Sequence, residues 1–122
     1  MDPAWSEGSP IYRQLRERVV AMILEGVLKE GDPLPSVRNV AAEYRINPLT
    51  VLKAYQGLAD EQLVEKMRGR GMYVRSGARA DLLRDERQRF LREQWPRVRA
   101  TIERLGFTAD ELLKPSGKEE GR

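Results

Sequence analysis

The stretch from Ser36 to Gln56, SVRNVAAEYRINPLTVLKAYQ, constrains the fold more than any other part of the chain. Ser36 can cap a helix, because its hydroxyl can accept from a free amide of the first turn. SVRNVAAEY then places Val37, Val40, Ala41 and Tyr44 on one helical face. The connection RIN is only about three residues long. Asn47 is a second cap, and Pro48 takes the first helical position, where a missing amide costs nothing. Val51, Ala54, Tyr55 and Leu58 form the apolar stripe of the helix that follows. Leu49, Thr50, Lys53 and Gln56 occupy its opposite face. Helix, three-residue turn, helix is the spacing of a helix-turn-helix.

The flanks complete this core. Ser9 and Pro10 signal a helix start, and Ile11, Leu15, Val19, Met22 and Ile23 repeat at helical spacing up to Glu25-Gly26. KEGDPLP, rich in Gly and Pro, is expected to be a loop. After the helix-turn-helix come two short extended runs, LVEKM and MYV, joined by Arg68-Gly69-Arg70-Gly71. Glycine tolerates positive φ, so this reads as a hairpin. Helix-turn-helix plus hairpin makes a winged helix. Two arginines on the wing tip can reach phosphates or a minor groove, and the glycines let the backbone approach closely.

The remainder differs in character. ARADLLRDERQRFLREQ is made of good helix formers. Leu91, Trp95, Val98, Ile102 and Leu105 are spaced four, three, four and three, a heptad-like seam. Leu83 and Phe90 are counted with it as interface residues. Pro96 predicts a kink or a fresh helix start, Gly106 a stop, and Thr108 the cap of a short helix ADELLK. The seam is too apolar to stand alone, so residues 77–114 are expected to form a dimerisation region. Residues 9–76 form the winged helix, and 1–8 and 115–122 are expected to be flexible tails. The fold class is thus mostly α, an α+β winged helix followed by a short helical segment.

Composition narrows the chemistry. The 122 residues contain no cysteine and no histidine. Disulfides, thiolate metal sites and the commonest general base are therefore excluded. No metal or cofactor is expected, and no enzyme. Asp85-Glu86 sits among arginines and reads as a salt-bridged face. The N-terminus lacks the pattern of a signal peptide, and no apolar run approaches the roughly 20 residues a membrane helix needs. A cytoplasmic protein without a membrane partner is expected. The net charge of +3 permits a polyanionic partner without demanding one.

The motifs together resemble the GntR family of bacterial transcription regulators, and most closely its YtrA-type subfamily. PIYRQLRERV is similar to the family's opening helix, GDPLPSVRNVAAEYRINPLTVLKAYQGL to its helix-turn-helix, and LVEKMRGRGMYV to its wing. Asn47-Pro48 and Tyr55 favour the YtrA type, as does the short segment after the wing. The chain departs from the pattern at Leu49, where a polar residue is common, and at Met72-Tyr73, where Thr-Phe is usual.

The resemblance implies a dimeric, sequence-specific DNA-binding regulator, a repressor of an operon that is often transporter-linked. Its partners would be a palindromic double-stranded operator, a second copy of itself and any small-molecule effector. The DNA side would carry Arg38, Thr50, Lys53, Arg68 and Arg70, with Ser36 and Gly69 at phosphates. Asn47, Leu49 and Gly71 complete the expected site. The alternative is a winged-helix protein–protein adaptor with no DNA role. The cations kept on both the wing and the outer helix face speak against it.

Overall fold

The computed structural model describes residues 5–115, so the expected tails lie outside the described residues over 1–4 and 116–122. The element order is α1 (Ile11–Glu25), α2 (Val37–Tyr44), α3 (Pro48–Asp60), β1 (Val64–Met67), β2 (Gly71–Val74), α4 (Ala78–Arg89), a π-helical turn (Phe90–Gln94), α5 (Trp95–Leu105) and α6 (Ala109–Leu113). The chain divides into two compact units, one ending at Arg84 and the other beginning at Asp85.

The first unit is the winged helix. Leu15, Val19, Val20 and Ile23 of α1 are buried with Val40 and Ala41 of α2 and Val51, Ala54, Tyr55 and Leu58 of α3. Val20 was not on the face predicted from periodicity, and Ile11 and Met22, which were, are only half-buried. A 3.6-residue period spreads an apolar face over more than one column of residues, so a strict four-three count misses its edge. Arg16 grips the end of α3 through a two-pronged ion pair with Glu61, one prong at 2.6 Å.

β1 and β2 pair antiparallel, with Val64 opposite Val74 and Met67 opposite Gly71. The predicted loop KEGDPLP contributes more than a connection. The Gly31 amide donates to Val74 (2.9 Å), the Val74 amide to Asp32 (2.9 Å) and the Leu34 amide to Met72 (2.8 Å), with Pro33 bridging Tyr73. The wing therefore has a short third edge. Proline is tolerated on an edge because its position there needs no amide donor.

Two boundaries move. The first helix begins at Ile11, with Pro10 rather than Ser9 at its cap and no side-chain capping bond. The Ser9 carbonyl instead accepts from the Gln14 side chain (2.8 Å), which also exchanges two bonds with the Ser6 backbone. Trp5 packs edge-on against Tyr44 with ring centres 6.2 Å apart, and Arg18 lies over its ring at 5.2 Å. Trp5 and Ser6, within the segment expected to be a tail, are thus held against the helices. At the other end the winged-helix unit extends past residue 76. Ala78 and Leu82 of α4 are 1% and 6% exposed, and Arg79 donates to the Leu24 carbonyl (3.1 Å).

In the second unit the π-helical turn lies immediately before Pro96. A proline cannot donate to the carbonyl four residues back and its ring crowds that turn. The helix widens instead, and the Trp95 amide reaches Phe90, five residues back. Gly106, at φ 77°, ends α5. Thr108 and Glu111 form a reciprocal capping box for α6, as Thr108 predicted.

Candidate nucleic-acid interface

Both caps of the helix-turn-helix are in place. Ser36 Oγ accepts the Asn39 amide at 3.0 Å, and Asn47 Oδ1 accepts the Leu49 amide at 2.8 Å. The Tyr55 hydroxyl donates to the Pro35 carbonyl at 2.8 Å, joining α3 to the residue before the α2 cap. Burial, and secondarily Tyr44, push the Tyr55 phenol up to about 12. A neutral donor at that bond is what a buried tyrosine needs. The α2–α3 geometry is therefore set from both sides, by the short turn and by this bond. Arg45 closes α2 in the left-handed region, at φ 56° and ψ 49°, a conformation expected of glycine.

Around this frame the predicted residues are distributed unevenly. Arg38 is exposed on the first turns of α2 and lines a shallow groove of about 530 Å³ with Val37, Ala41, Ile46 and Pro48. It is thereby brought to the N-terminal end of α3. Leu49 is 69% exposed there, Thr50 is half-buried, and Lys53 and Gln56 are exposed. Positive helix-end potential and exposed side chains share this edge of α3.

Lys53 has a partner that periodicity could not reveal. Its Nζ lies 4.1 Å from the centre of the Tyr12 ring, on α1. The Tyr12 phenol is pulled below its ordinary value by a hydrogen bond from the Arg13 side chain, then by the charges of Lys53 and Arg13. Tyr12 was absent from the predicted site. The two residues are 41 apart in sequence, and no local signal links them.

Arg68, Gly69, Arg70 and Gly71 form the exposed end of the hairpin. The Arg70 amide donates to the Met67 carbonyl (2.9 Å), and Gly69 sits third in this turn at φ 72°. A positive φ at that place, following a residue without one, favours glycine. Among the described residues, Arg38, Arg68 and Arg70 have neither an ion pair nor a hydrogen-bonded side chain. Among the described residues, no hydrogen bond or ion pair joins the wing tip to Arg38 or Lys53.

The seam residues lie on the second unit, apart from Leu83, which is 40% exposed on α4. Trp95, Val98 and Ile102 line a groove of about 560 Å³ with Leu112 and Leu113 of α6. Leu91 falls outside it and borders a separate recess with Phe90, Glu86 and Arg87. The π-helical turn shifts the register there, so Phe90 comes next to Trp95, with ring centres 6.4 Å apart. Leu105 is 60% exposed. Glu86 pairs with Arg89 at 3.4 Å. Among the described residues no acidic cluster could hold a metal, and no helix is long and apolar enough to cross a membrane.

A capped helix-turn-helix carrying a basic wing defines the winged helix-turn-helix class of transcription regulators. Residues 11–74 match the model of the bacterial regulatory proteins of the gntR family, and the chain belongs to that family. It is 42% identical over 83 residues to the transcriptional repressor YtrA of Bacillus subtilis, a match covering 68% of this chain and 62% of that protein, in line with the YtrA-type resemblance. It is 28% identical over 114 residues to the uncharacterised regulator YhcF of the same organism, covering 93% of each. Among solved structures it resembles a transcriptional regulator from Oenococcus oeni, with a TM-score of 0.70, 29% identity and 98% of each chain covered.

Proposed function

We propose that the protein is a dimeric repressor that reads a palindromic operator in the cytoplasm and performs no catalysis. The observation that carries this reading is the set of cations without an ion pair among the described residues on the two exposed edges of the winged helix: Arg38 beside the N-terminal end of α3, and Arg68 and Arg70 on a glycine turn. An uncommitted guanidinium suits a phosphate or a guanine edge, and a glycine turn suits close approach to a backbone. In this reading Arg38 and Lys53 face the major groove, with Leu49 against a thymine methyl and Thr50 at a phosphate. Ser36 and Asn47 hold the helix ends, and Arg68 to Gly71 follow the flanking backbone. Two α3 helices about 34 Å apart would occupy successive major grooves. The exposed apolar faces of Trp95, Val98 and Leu105 support pairing of two copies. The relative named as a repressor supports the sign of the output. Nothing favours the adaptor alternative.

The test is selection of bound fragments from genomic DNA, followed by a salt titration of the selected operator. Replacing Arg68 and Arg70 with Ala should weaken binding and flatten the dependence of log affinity on log salt, by about 0.9 for each phosphate that is no longer neutralised. No enriched sequence, or an unchanged slope, overturns the reading.

A further inference from the structure

Lys53 is exposed on the outer face of α3, yet its ammonium rests on one aromatic ring, that of Tyr12, at 4.1 Å from the ring centre. Tyr12 is the second residue of α1, so this contact crosses from the opening helix to the reader helix. A lysine side chain carries more rotamer freedom than almost any other and loses it when it meets a fixed partner. A ring that already holds the ammonium removes part of that loss, and it does so without neutralising the charge as a carboxylate would. Leu49, Lys53 and Gln56 follow one another by four and three residues, so a fixed Lys53 also fixes the middle of that face.

We infer that Tyr12 is a positioning residue of the DNA interface, whose ring face pre-orients Lys53 on the reading edge of α3. It acts through Lys53 and makes no base contact of its own. The inference rests on the operator reading proposed above. Arg13, next in the chain, supports the arrangement, because a hydrogen bond from it and the Lys53 charge both draw on the same phenol.

Operator binding is compared for the intact chain and for Tyr12→Phe, Tyr12→Leu, Lys53→Met and the double variant Tyr12→Leu/Lys53→Met. Phenylalanine keeps the ring face, so Tyr12→Phe should bind like the parent. Tyr12→Leu keeps apolar bulk without the ring and should weaken binding about two- to fivefold, the range of a cation–π contact at an exposed site. In the Lys53→Met background the same change should cost nothing. NMR titration of the labelled Tyr12 ring in the free protein gives a readout that does not require DNA. Lys53→Met should raise the Tyr12 phenol, because a neighbouring cation is gone.

Equal weakening by Phe and Leu would assign the effect to the hydroxyl and overturn the inference. So would additive losses in the double variant, tighter binding by Tyr12→Leu, or a Tyr12 titration that ignores Lys53. Failure of the parent chain to bind any selected operator overturns the operator reading instead, and the positioning role with it. The ring titration still reports in that case whether the contact exists.

Discussion

The two units of this chain solve the same problem differently. Every buried residue among those described lies between Leu15 and Leu82, within the winged helix. In the second unit no described residue is buried, although Phe90, Leu91, Trp95, Val98 and Leu105 recur on its helices. The difference follows from geometry. Three helices and a hairpin enclose a volume, so one chain can bury its own apolar faces. A helix with a five-residue companion cannot, and α5 and α6 meet in an open groove. The winged helix carries its own stability, while the second unit leaves an apolar face that another surface must cover.

The largest effect expected from this contrast is at Trp95. It is 36% exposed in the protomer. If a second copy covers the exposed third of the indole, Trp95→Ala removes the apolar area that pairing takes from water, at a cost of about 2 kcal/mol to the dimer. Dimer dissociation should then rise about thirtyfold, since each 1.4 kcal/mol is tenfold. Sedimentation over a concentration series measures this directly, and the thermal midpoint of the winged-helix unit should barely move. A dimer unaffected by Trp95→Ala, or a parent chain that is monomeric at micromolar concentration, removes the pairing model. The comparison of the two units would then need a different cover for the groove.

The next effect sharpens the other side of the comparison, the closed core. Tyr55 is 3% exposed and donates to Pro35. Its folded phenol sits near 12, above the ordinary value of 10, because burial penalises the phenolate. The group binds its proton more tightly when folded. Its contribution is therefore fully present below about pH 10 and is lost as pH rises through about 12. Tyr55→Phe should cost about 1 kcal/mol at neutral pH through the missing bond and the unpaired Pro35 carbonyl. It should also remove the steepest part of the alkaline fall in stability between about pH 10 and 12. Urea midpoints across that range check both. An alkaline fall as steep in the variant as in the parent would show that Tyr55 is not the group responsible.

The same contrast explains what was legible in the sequence. Local chemistry could be read closely. The caps at Ser36, Asn47 and Thr108, the stop at Gly106 and the hairpin at Gly69 each depend on a residue type within four positions of its partner. The gntR-family core was legible for the same reason, because its motifs are short and dense. Contacts across the fold were not. The edge formed by Gly31–Leu34, the grip of Arg16 on Glu61, the anchoring of Trp5 and the seat of Lys53 on Tyr12 join distant segments, and no periodicity encodes them. The seam lies between these cases. Its four-three spacing was visible, but one proline widens a turn and moves Leu91 out of line with Trp95.

The smallest expected effect concerns how each unit ends a helix. Gly106 closes α5 at φ 77°, and Gly26 closes α1 at φ 84°. α2 closes on Arg45 at φ 56°, within the helix-turn-helix itself. A Cβ in that region costs about 1–2 kcal/mol. Arg45→Gly removes this strain, but it also frees the unfolded chain, which offsets about 0.5–1 kcal/mol. The net change should be a stabilisation of no more than about 1 kcal/mol, read as a small rise in urea midpoint with an unchanged slope. Operator affinity measured on the same variant separates two explanations of why an arginine stands there. If affinity is unchanged, the strain serves nothing at the interface. If stability rises while affinity falls, the exposed guanidinium of Arg45 joins Arg38 as a cation of the reading edge. A clear loss of stability would instead show that the Arg45 side chain supports the turn and that strain at φ 56° is not the dominant effect.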